Sequence, residues 1–105
     1  MITGNYTIKP NPEWKNVQNQ EVYLVCDTTL GAVNITLPTI ASLGGFQNVK
    51  FYISDGANNA ATNNITILKQ GTDVIDATSS VVINADGGAA EVMGFGLVRC
   101  RLARA

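Results

Sequence analysis

The chain has 105 residues, 46% hydrophobic and only 14% charged, with a formal net charge of −1 and no histidine. One domain with one core is expected at this length. The charge balance provides no positive field to draw the chain to nucleic acid or an anionic membrane, and the lack of histidine removes every Ser-His-Asp, Cys-His and His-metal arrangement.

A charged share of 14% lies well below the roughly 25% usual in soluble domains. The outside must then be covered by Asn, Thr, Ser, Gly and apolar atoms, which suits a partner better than free solvent. No apolar run approaches the roughly 18 residues of a membrane span. Met1-Ile2-Thr3-Gly4-Asn5-Tyr6 has neither the basic nor the apolar part of a signal peptide. A chain kept soluble inside a cell, or assembled there into a larger particle, is expected.

In chain order, residues 1–20 read as an extended N-terminal arm ahead of a single β-domain over residues 21–105. Pro10 and Pro12 bracket Asn11, fixing φ and removing donors, so this piece is expected outside any regular sheet. Trp14 follows them as a large apolar ring suited to anchoring an interface.

Val22, Leu24 and Cys26 alternate with Tyr23, Val25 and Asp27; Val33, Ile35 and Leu37 alternate with Asn34 and Thr36 up to Pro38. This period of two places successive side chains on opposite faces of a strand. Asp27 to Gly31 reads as a hairpin-length turn between the two. Val49, Phe51 and Ile53 form the next strand, closed by the turn pair Asp55-Gly56, and the Asn- and Ala-rich stretch 57–64 reads as a loop. Ile65-Thr66-Ile67, Val74-Ile75 and Val81-Val82-Ile83 continue the pattern. Asn84 to Gly88 closes it, and a last strand region runs from about Ala90 to Leu102, with Gly94 and Gly96 around Phe95 suggesting a bulge or a place where another backbone comes close. Leu37 to Phe46 offers at most one helical turn. About seven to eight short strands with a turn signal in each gap predict an all-β fold, an antiparallel β-sandwich or barrel.

Chemistry is sparse. Asp73 and Asp76 flank Val74-Ile75 and read as strand-end turn residues, not as an acid/base pair. Asp86-Gly87-Gly88 lacks the alternating oxygen ligands of a calcium loop. Asn5-Tyr6-Thr7, Asn34-Ile35-Thr36 and Asn64-Ile65-Thr66 fit a glycosylation triplet that a chain rich in Asn and Thr produces freely. Cys26 and Cys100 read as small buried hydrophobes; a disulfide between them requires the strands that carry them to be neighbours. No cofactor, no metal and no catalysis are expected. Arg99 and Arg101 share a face by alternation, near Arg104. They mark either a solvated strand edge or an ionic contact with an acidic neighbour. The candidate interface residues are therefore Pro10, Pro12, Trp14, Arg99, Arg101 and Arg104.

The block from Val25 to Pro38, followed by Ile53-Ser54-Asp55-Gly56 and Asn63-Asn64-Ile65-Thr66-Ile67, resembles the small β-module of bacteriophage tail-fibre, head-fibre and capsid-decoration proteins. The likeness spans about residues 22–88. It implies a virion structural protein, commonly a homotrimer, without catalysis. A chain of 105 residues opening on Met1 is short for a receptor-reaching fibre. The expectation is therefore a capsid decoration or cement protein bound to itself and to a major capsid or other virion protein. The alternative is a tail-fibre or receptor- or carbohydrate-binding module.

Overall fold

The computed structural model describes residues 1–9, 20–39, 49–70, 80–95 and 97–103. The strands are β1 Asn5–Thr7, β2 Gln20–Cys26, β3 Val33–Thr36, β4 Val49–Asp55, β5 Ile65–Leu68, β6 Ser80–Ile83, β7 Ala89–Phe95 and β8 Leu97–Ala103. No helix occurs among the described residues, as the lack of a 3.6-residue period leads one to expect. The strands form two four-stranded sheets, ordered β1-β3-β5-β6 and β2-β4-β7-β8.

Both sheets are mixed, which corrects the expectation of an antiparallel fold. β1 with β3, β3 with β5, and β2 with β4 pair parallel, whereas β5 with β6, β4 with β7, and β7 with β8 pair antiparallel. The reason lies in the connections. From β1 to β5 each strand lies in the other sheet from the one before it, so the chain coils between sheets and every second strand returns in the same direction. Side-chain alternation has a period of two whatever the direction of the neighbour, so it carries no information about this winding. Asp27 to Gly31 is accordingly a crossing between sheets and not a hairpin turn. The stretch Ala90 to Leu102 is two strands, β7 and β8, paired with Phe95 opposite Leu97, and not one bulged strand.

The alternation does predict which residues face inward. Leu24, Phe51, Ile53, Ala90 and Val92 of one sheet join Val33, Ile35, Ile65, Ile67 and Ile83 of the other in a single buried cluster. Val33, Ile35, Ile53, Ile65 and Ile67 are wholly shielded from solvent, and each such side chain contributes about 1.5–3 kcal/mol relative to an exposed one. β-Branched residues suit these positions because their restricted χ1 costs little on a pleated surface.

Residues 1–9 correct the reading of an arm that stays out of the sheets. Asn5, Tyr6 and Thr7 pair in register with Asn34, Ile35 and Thr36, Ile2 bridges to Cys26, and Ile8 belongs to the core. The matching Asn-x-Thr sequences of β1 and β3 explain the register: Asn34 Nδ2 donates to Asn5 Oδ1 at 2.8 Å, and Ile35, between Asn34 and Thr36, faces inward. Pro10, Pro12 and Trp14 lie outside the described residues, as do Asp73, Val74, Ile75, Asp76 and Arg104.

The neighbouring strands that a disulfide between the two cysteines requires are absent. β2, with Cys26, and β8, with Cys100, are opposite edges of one sheet, separated by β4 and β7. Three strand spacings place them about 14 Å apart, twice the Cα separation a disulfide tolerates. Cys26 is a free, buried thiol.

Candidate functional site

The winding gathers three connections at one end of the molecule. β2 and β4 are parallel and finish at the same end, so loops 27–32 and 56–64 both leave from it. β6 runs against β5 and β7 runs against β4, which brings loop 84–88 to that end too. The chain start reaches it through Ile2, whose N–H donates to Val25 O and whose carbonyl accepts from Asp27 N.

A buried carboxylate ties these loops together. Asp55, the last residue of β4, is 7% exposed and sits beside Thr28, which is fully buried. Its Oδ1 accepts the Thr28 hydroxyl at 2.6 Å and the Ala57 N–H at 3.3 Å. Its Oδ2 accepts Ala60 N–H at 2.8 Å and Gly87 N–H at 3.1 Å. Gly87 has φ of 70°, a left-handed conformation that glycine adopts without strain. The Thr28 carbonyl accepts from the side-chain amides of Asn59 and Asn63, at 3.3 and 2.8 Å, and Asp86 Oδ1 accepts Ala61 N–H at 2.9 Å. All three loops are thus fixed to one another by hydrogen bonds to charged or buried groups, which are the stronger kind.

Burial by itself raises the proton affinity of Asp55. The donors Thr28, Gly87, Ala60 and Ala57 outweigh it and hold the carboxyl below the ordinary aspartate range. Both oxygens are occupied by the protein's own donors, so this carboxylate is a structural tie and not a catalytic base or a metal ligand. Among the described residues no three His, Cys, Asp or Glu side chains gather around a common point. The neighbouring Cys26 thiol is pushed up to about 11 by burial and then by the Asp55 charge, which leaves it protonated and inert.

This end exposes apolar side chains beside the polar Thr29, Asn58, Thr62, Asn84 and Asp86. Leu30, in loop 27–32, is 98% exposed, Met1 74% and Val25 42%. Met1 and Val25 lie together over Gly56, where a Cβ would fall 2.8 Å from the Met1 sulfur and would collide with Val25 Cγ1. A shallow cleft lined by Thr3, Gly4, Asp27, Leu30, Gly31 and Ala32 adjoins them. Asp27 shapes that loop by accepting the Thr29 N–H at 3.1 Å.

Of the residues singled out in the sequence, Arg99 and Arg101 occupy the edge strand β8, opposite Met93 and Glu91 in the register. Pro10, Pro12, Trp14 and Arg104 lie outside the described residues, so the structure assembles no site from this set. Leu30 and the Thr28–Asp55 tie were not foreseen. One signal was available: a large apolar residue set between Thr29 and Gly31 in a turn, where burial is hard to obtain. No family model matches the chain, and no curated protein matches it.

Proposed function

We propose that the chain is a non-enzymatic structural protein of a bacteriophage virion, a capsid decoration or cement module that docks on the shell through its loop end. The observation that carries this reading is Leu30, almost wholly exposed on a loop held by the buried Thr28–Asp55 bond. A large apolar side chain that has no place in the core, on backbone that cannot collapse over it, suits burial in a partner. Such preorganised anchors lose little conformational entropy on binding. The low charge and the resemblance of residues 22–88 to phage fibre and decoration modules support the same reading. In it the two sheets pack as a β-sandwich, the chain assembles as a homotrimer, and the shell gains stability from area buried across capsid subunits.

The test is imaging of purified particles with and without the protein, and with Leu30→Ser. Density lost from the shell without the protein, and reduced occupancy of a folded Leu30→Ser variant, is the expected result. Loss from the tail alone would give the fibre alternative, and particles unchanged by removal of the protein would overturn both. Wild-type occupancy of Leu30→Ser would shift the docking surface elsewhere, with the Arg99 and Arg101 edge next to be tested.

A further inference from the structure

The chain contains two Asp-Gly steps, Asp55-Gly56 and Asp86-Gly87, and both lie at the loop end. Aspartate followed by glycine is the sequence most prone to a spontaneous rearrangement of the main chain. The glycine nitrogen attacks the side-chain carboxyl carbon of the aspartate, and no side chain on the glycine hinders the approach. A bond forms from that nitrogen to Cγ, a Cγ–O bond breaks, and the carboxyl OH leaves as water with the amide proton. Water then opens the cyclic imide at either carbonyl. One opening gives back aspartate; the other leaves isoaspartate, in which the main chain runs through Cβ and Cγ.

The fold holds the two steps differently. Gly56 N–H donates to Cys26 O at 2.8 Å where β2 and β4 end side by side, and the Asp55 carboxylate is buried with donors on both oxygens. Neither the nucleophile nor the electrophile of that step is open to reaction. At the second step Asp86 is exposed, and among the described residues its carboxylate takes one hydrogen bond, from Ala61 N–H at 2.9 Å. The nitrogen is what the fold guards there: Gly87 N–H donates to Asp55 Oδ2 at 3.1 Å. An amide that donates to a carboxylate keeps its proton, and the nitrogen has to lose that proton to attack.

We infer that Asp86-Gly87 is the site at which this protein forms isoaspartate, and that Asp55 controls the rate by holding the Gly87 N–H. The reaction proceeds only from molecules in which loop 84–88 has parted from the Asp55 carboxylate, so local opening sets its pace and not unfolding of the core. The modification also reinforces itself. Isoaspartate adds one carbon to the main chain directly before Gly87, a length of about 1.5 Å. A bond of 3.1 Å stretched by that amount passes beyond hydrogen-bonding range, so a modified chain does not rebuild the Gly87 arm of the tie. None of this depends on which partner the loop end meets.

Peptide mapping with electron-transfer fragmentation, which separates isoaspartate from aspartate, tests this on native and urea-denatured protein aged side by side at neutral pH. In the denatured chain both Asp-Gly steps should react. In the native chain residue 86 should lead, at a rate at least about tenfold below its denatured one, which corresponds to about 1.4 kcal/mol of local closure. Asp55→Ala should raise the native rate at residue 86 at least about tenfold. Ile67→Ala, which opens a cavity in the core, should raise it far less, with circular dichroism confirming that each variant is folded. Equal rates in native and denatured wild type, isoaspartate at residue 55 ahead of residue 86 in the native protein, or equal increases in the two variants would each overturn the inference. Where Asp55→Ala does not fold, hydrogen exchange of the wild-type Gly87 amide decides: slow exchange is expected, and exchange at the rate of an unstructured amide overturns it.

Discussion

The hydroxyl of Thr28 donates to the carboxylate of Asp55 across 2.6 Å, joining two loops that are 27 residues apart in the chain. Thr28 follows the end of one strand and Asp55 ends the parallel strand beside it, so the bond locks the two crossings between sheets at the same level. A third loop joins through Gly87.

Breaking this tie should destabilise the whole domain. Thr28→Val leaves the carboxylate one donor short and is expected to cost about 1–2 kcal/mol. Asp55→Asn removes the charge and turns an amide group toward donors, with an expected cost of about 3 kcal/mol or more. Urea unfolding followed by circular dichroism measures both. A loss smaller for Asp55→Asn than for Thr28→Val would contradict the central place assigned to the carboxylate.

The same group sets an acid limit. Its carboxyl is held below the ordinary aspartate range in the folded state. Its contribution is therefore complete above the unfolded aspartate pKa of about 3.9 and is lost as the pH falls through the folded value. Wild type should lose stability steeply below about pH 4, and Asp55→Asn should show a shallower slope in that window. Parallel curves for the two proteins would show that other carboxylates govern acid unfolding.

Cys26 should be unreactive in the folded protein. It is wholly buried, and its thiol titrates near 11, so almost no thiolate exists at pH 8. Iodoacetamide followed by peptide mapping should modify Cys26 only after denaturation. Mass spectrometry without reductant should find no Cys26–Cys100 disulfide within one chain, since β4 and β7 separate the strands that carry them. Either rapid native labelling of Cys26 or that disulfide would be incompatible with the sheet order.

The phase of the strands is open to a simple comparison. Val33 and Ile53 are fully buried, whereas Asn34 is on the outer face. Val33→Asp and Ile53→Asp place an unpaired charge in the core and should abolish soluble expression; Asn34→Asp should yield folded protein. Equal loss in all three would mean that β3 and β4 face the other way.

The sequence by itself determined β2 to β6 and their inward faces, because alternation at Val33-Asn34-Ile35-Thr36 or Phe51-Tyr52-Ile53 is a local property of pleated backbone, whereas β1 and the division of the last region into β7 and β8 were not read from it. It also determined the sites of the loops, through Asp55-Gly56 and the Asn-rich stretch after it. Only the tertiary structure decided which strands are neighbours and in which direction they run, since a crossing to the other sheet and a hairpin turn of the same length use the same turn residues. For that reason Asp27-Thr28 and Asp55-Gly56 read separately as two ordinary turns, and it is the parallel pairing of β2 with β4 that makes them one buried tie. The stacking of Tyr23 on Tyr52 has the same origin: residues 29 apart become opposite members of a pair only once the register of the two strands is set.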